Sequence, residues 1–254
     1  MWALRRRGFV AGAAFLGFEA LQLLGCESTT GRRVTIESRV RGEPGGEPFT
    51  TDLGWSVTLE RAEMWIGSIL YLEGTALARR FSAMARAHAH PGHYEEGTVL
   101  GEMVEPELVD LLAGEVVIGA GGGITGQMRS ARLSLDHAVA PDPLDGRVVV
   151  LAGRASREGA TIDFSAGFAP EDVAASDTGR PTIAGCPVAG GDVRSNGVVR
   201  LVVSLPTWLD QVDFSLIDPA DGPVELAPGE APHNALARGI QKAASFRFSF
   251  ENLA

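Results

Sequence analysis

Cysteine is scarce in this chain, with two among 254 residues, Cys26 and Cys186. A fold with so few cannot rest on a disulfide framework, so its core has to come from packing. Positive charge is also short, 22 basic against 32 acidic residues. That balance argues against nucleic-acid binding and against a basic membrane-docking face. Long apolar runs are missing apart from residues 8–24, a stretch interrupted by Glu19 and at the short limit for spanning a membrane. There is no Gly-x-Ser-x-Gly elbow, no His-Glu-x-x-His pair, no internal repeat and no heptad pattern. The run Gly119-Ala120-Gly121-Gly122-Gly123 lacks the spacing and the βαβ setting of a phosphate loop. Glu95, Glu96, Glu102 and Glu105 read as a solvated acidic face. The expectation is a protein that is not an enzyme.

What is present starts at the N-terminus. Arg5, Arg6 and Arg7 precede the apolar stretch Gly8 to Leu24, which closes on Leu23-Leu24-Gly25-Cys26. This tetrapeptide resembles the lipobox of bacterial lipoproteins, with Leu24 departing from the usual small residue. The resemblance implies a signal peptide over 1–25, a lipid such as palmitate carried on Cys26, and a membrane anchor through a tether at 26–32. Arg6-Arg7-Gly8-Phe9-Val10 also resembles a twin-arginine export signal, and reads equally well as an ordinary positive segment. Without residues 1–25 the balance is 19 basic against 31 acidic residues, a net charge of −12. Glu27, not aspartate, follows the cysteine. The expected location is therefore the cell envelope, facing the periplasm or the surface, with the outer membrane favoured over the inner. Lipidation of Cys26 would leave Cys186 unpaired, and a buried, inert thiol is the expectation there.

From residue 33 to 254 the chain reads as one all-β domain. Val34, Ile36 and Val40 alternate, and Val57 and Leu59 alternate against Thr58 and Glu60 within 56–72. Gly67 marks a bulge or bend between two strands. Further strand regions fall at 108–118, 126–137, 147–153, 159–167, 198–205, 211–217 and 245–250, with Phe214 and Leu216 on one face and Phe246, Phe248 and Phe250 on another. The glycines at 119–123 read as a flexible turn. Leu77, Phe81 and Met84 have helical spacing, as do Leu236 and Ile240, where Asn234 is a candidate cap. The segment 169–197 reads as a long irregular loop. Together these predict an antiparallel β-sandwich, immunoglobulin-like or Greek-key, with one or two short helices.

The sharpest chemical signal is His88-Ala89-His90-Pro91-Gly92-His93. Extended residues two apart point to the same side, so His88 and His90 can face one ion. Pro91-Gly92 is a turn dipeptide able to bring His93 back toward the same point. Imidazole-rich sites suit Cu(II), Zn(II) or Ni(II), with copper favoured by intrinsic affinity. His137 beside Asp136 completes the set or orients a ligand. Met103 and Cys186 are possible additional ligands, and His233 reads as a surface residue at a helix start.

The layout resembles that of the methanobactin-associated periplasmic copper-binding proteins, the metallo-mystery-pair family. The likeness runs over most of 33–252, after a lipobox: an early strand, the strand pair Trp55–Leu72, a His-bearing loop, strands around Arg129–His137 and Thr161–Phe168, and a late strand Val199–Leu209 ending in Trp208. It implies a β-rich protein that binds copper through histidines beside a di-haem peroxidase-like partner that oxidises a tryptophan, here Trp55 or Trp65. The four-cysteine pattern of one branch is absent. The leading expectation is a lipid-anchored metal-binding protein that captures or buffers copper, or zinc, with that peroxidase-like protein or a metal transporter as partner. The alternative is a non-catalytic module recognising a protein or glycan through 169–197 and Trp55, Trp65 or Tyr94. A third is a structural envelope lipoprotein without a ligand.

Overall fold

Period-two alternation becomes strands through most of the computed structural model, which describes residues 31–74, 97–136, 142–176 and 178–253. Strand β1 (Arg33–Glu43) turns Val34, Ile36, Ser38 and Val40 inward. The short β2 (Phe49–Thr50) precedes β3 (Ser56–Ile66), which passes through Gly67 into β4 (Ser68–Leu72). The bend expected at Gly67 is real: a Cβ there would lie 2.3 Å from the backbone oxygen of Asp136. Next come β5 (Val99–Met103), β6 (Glu107–Asp110), β7 (Val116–Ile124), β8 (Gly126–Gln127) and β9 (Ser130–Ser134). β10 (Val149–Arg157) and β11 (Ala160–Phe168) form a hairpin. β12 (Thr182–Ala189), β13 (Asp192–Val193) and β14 (Gly197–Ser204) lead into α1 (Leu205–Leu209). β15 (Val224–Glu225), α2 (Ala231–Ile240) and β16 (Phe246–Asn252) complete the chain.

The protein is mostly β, as expected, but it is not a sandwich. Eight strands close into a barrel in the order β1-β14-β16-β12-β9-β4-β5-β7, and β7 returns to β1. A six-stranded second sheet runs β15-β11-β10-β3-β2 with β6 on β3, and β8 pairs with β13. Nor is the pairing purely antiparallel, because β1–β14 and β12–β16 are parallel.

Closure depends on the glycines that read as a turn. They lie inside β7, which pairs with β1 along most of its length and meets β5 at Gly101–Gly123. A Cβ on Gly121 would sit 1.6 Å from the backbone oxygen of Glu102, and one on Gly123 would sit 2.9 Å from that of Leu100. Only a strand without side chains there lets β5 approach closely enough to shut the barrel. Its interior is packed. Ile36 and Tyr71 are fully buried, Phe248 meets Tyr71 edge to face, and the Ser38 and Tyr71 hydroxyls share a 2.6 Å hydrogen bond.

Four other expectations change. Residues 211–217 are not a strand: Phe214–Leu216 is a 3-10 turn whose first free N–H, that of Ser215, is capped by the Asp213 carboxylate at 3.0 Å. Phe214 is buried against Phe164 and Trp55, while Leu216 is exposed. The segment 169–197 is no irregular loop, since it contains β12 and β13. The late strand stops at Ser204 because Pro206 cannot donate to a ladder, and Trp208 sits in α1. Asn234 does not cap α2: Glu230 stands at the cap position, and the Asn234 amide donates to the Gly229 carbonyl at 3.0 Å.

Candidate functional site

The histidine cluster is carried between β4 and β5. His88, His90 and His93 lie outside the described residues, as do His137, Tyr94, the Leu77–Met84 stretch, Cys26 and residues 1–25 before it. The barrel holds both ends of the cluster's segment. The Glu73 N–H donates to the Thr98 carbonyl at 3.0 Å, and Arg129 N–H donates to the Leu72 carbonyl at 2.9 Å. Ser130 Oγ donates to the Gly74 carbonyl. Gly97 adopts φ +64°, and a Cβ there would fall 2.8 Å from the Gly74 nitrogen. The two ends of the segment thus meet at one end of the barrel, where a positive φ and a close backbone approach both require glycine.

Asp136 lies at the other end of the same strands. β9 pairs with β4 from Leu72–Ser130 to Ser68–Ser134, so Gly74 and Asp136 lie about a strand's length apart. Asp136 accepts a hydrogen bond from Ser134 Oγ.

The two sulfur candidates are in the core. Met103 is buried, with its side chain beside Gly119. Cys186 is buried on β12, its Sγ donating to the Ile183 carbonyl at 3.7 Å, and burial pushes the thiol up to about 12. A thiol held protonated by burial is a poor nucleophile. Among the described residues, no group of three or more His, Cys, Asp or Glu side chains is placed to hold a metal ion. Trp55 and Trp65 are 2% and 4% exposed, so neither offers a stacking face to a glycan or partner. Arg157 covers the Trp55 ring at 4.4 Å.

His233 is not on the surface. It is 2% exposed and stacks on Phe168 at 4.5 Å, and neither ring nitrogen has a hydrogen-bond partner. The signal was present in the sequence: His233, Leu236, Ala237 and Ile240 recur at the three-four-seven spacing of one buried helix face. A shallow groove of about 470 Å³ opens beside the cluster's end of the barrel, between β1, β5 and β7, with Arg33, Val99, Glu102 and Ile124 on its walls. No described helix is long and apolar enough to cross a membrane.

No protein-family model matches this chain, and no curated protein matches its sequence. Among solved structures it resembles MbnP from Methylosinus trichosporium at 12% identity, over 82% of this chain and 87% of that one, with a TM-score of 0.38.

Proposed function

We propose that this chain is a lipid-anchored protein of the cell envelope that captures or buffers copper, with zinc as the competing ion, through His88, His90 and His93. The observation that carries this reading is the density of imidazole: three in six residues of sequence. The barrel ties the ends of the intervening segment together through the Glu73–Thr98 hydrogen bond. Three imidazoles with a free position make a ligand set that copper and zinc both accept. His137, next in sequence to Asp136, is proposed as an accessory ligand. The role is binding rather than catalysis, and the lipid on Cys26 holds the protein where metal passes outside the cytoplasm.

Equilibrium dialysis tests it. The mature protein should retain about one Cu(II) per chain, and His88→Ala/His90→Ala/His93→Ala should abolish retention. Equal retention by the triple variant would refute the reading.

A further inference from the structure

The barrel end that holds the cluster's segment is also the end where β1 begins. Arg32 and Arg33 open β1, Arg129 immediately precedes β9, and Arg194 follows β13, all on the rim of that end and all exposed. Arg32 donates to the Arg194 carbonyl, which joins two of them. Elsewhere among the described residues Arg39, Arg61, Arg147, Arg154, Arg200 and Arg247 each hold a carboxylate, and Arg41, Arg157, Arg180 and Arg238 do not. On the rim only Arg194 does, through Asp192, and Arg32, Arg33 and Arg129 have no carboxylate partner among the described residues. Among the described residues Glu73 and Glu102 are the remaining acids there, and Glu251 is taken by Arg200. Among the described residues, two of the six large apolar side chains that are exposed, Val99 at 45% and Leu253 at 52%, stand on the same rim.

We propose that this rim is a docking surface for anionic lipid headgroups. Guanidinium groups meet phosphate oxygens two at a time, and exposed apolar side chains beside them suit the interface between headgroup and acyl chain. The net charge of −10 argues against a basic face overall, and a local patch at one end is compatible with it. The proposal rests on the reading of Cys26 as the lipid anchor. Cys26 is seven residues before Arg33, a reach of at most ~24 Å at ~3.5 Å per residue. An anchored chain therefore keeps this end of the barrel near the membrane and lets unpaired arginines select its orientation.

The test uses the full-length, lipidated protein in vesicles. Gln127→Cys, exposed on β8 at the rim, and Val104→Cys, exposed just beyond the far end of β5, are each labelled with a fluorophore. Cys186 is buried and does not compete for the label. Brominated lipids quench a label that reaches the interface. With a phosphatidylglycerol fraction, the label at 127 should be quenched several-fold more than the label at 104. The effect should fade between about 0.1 M and about 1 M salt, as the screening length falls from ~10 to ~3 Å. Arg33→Glu/Arg129→Glu should at least halve the quenching while flotation with the vesicles is unchanged. Equal quenching at both positions, or quenching indifferent to phosphatidylglycerol and to the charge reversal, would overturn the docking surface and leave the anchor standing. Failure of the unmodified protein to float would overturn the anchor and the docking together.

Discussion

Replacing His233 by leucine should stabilise the protein. The imidazole is 2% exposed, and both nitrogens lack a hydrogen-bond partner. A neutral imidazole carries one donor and one acceptor, and each group buried without a partner costs ~1–3 kcal/mol, together ~2–6 kcal/mol. Leucine forfeits the ring stacking on Phe168, ~0.5–1.5 kcal/mol, and gains a few tenths from its better helix propensity. The net is a gain centred on about 3 kcal/mol, or about 6–12 °C in melting temperature for a domain of this length. Urea titration followed by circular dichroism reads it directly, with an unchanged m-value as the control on two-state behaviour. His233→Ala separates polar relief from packing. It removes the same nitrogens but leaves a cavity, and should be less stable than the leucine variant by at least about 2 kcal/mol. A leucine variant less stable than the parent by about 1 kcal/mol or more would refute the reasoning, because it would mean the nitrogens are satisfied in solution.

Two further predictions come from the barrel. Gly121→Ala should cost about 2–3 kcal/mol, since its Cβ would drive into the Glu102 backbone oxygen. Gly122→Ala, one residue along the same strand with open space around its Cβ, should be near neutral, and comparable denaturation midpoints for the two would contradict the account of closure. Burial holds the Cys186 thiol up to about 12 and raises the Tyr71 phenol as well. Both groups are folded with their protons on, while the unfolded chain releases them earlier. Their stabilisation is therefore complete below about pH 9 and drains as pH rises toward 12. Urea midpoints should fall through that window with a slope that Cys186→Ala reduces. A thiol reagent should find Cys186 only after unfolding, and fast labelling of the native protein would contradict its burial.

How much of this was legible in the sequence depends on what each signal depends on. Strands that alternate cleanly, such as β1 and β16, were visible because one buried face imposes period two. The bend at Gly67 and the helix around Leu236 and Ile240 were visible for similarly local reasons. The barrel was not, because closure is set by the approach of β5 to β7, residues far apart in sequence. Glycines that permit such an approach look the same in a string as glycines that turn. The Phe214–Leu216 turn imitated a strand because two alternating apolar residues cannot tell the periods apart. His233 was misplaced by judging the residue type before the helix face it belongs to. For the candidate site, the sequence supplied the histidines, and the fold supplied the constraint that the ends of their segment meet on one rim while Asp136, beside His137, lies at the other end of the β4–β9 pair.

The most direct test of the copper reading is the electron paramagnetic resonance spectrum of the mature protein with one equivalent of Cu(II). The account predicts a single bound species with nitrogen hyperfine structure that persists in His137→Ala and disappears in His88→Ala/His90→Ala/His93→Ala. A spectrum of free or carboxylate-bound copper in the parent protein, or a nitrogen-ligated spectrum that survives the triple substitution, would contradict it.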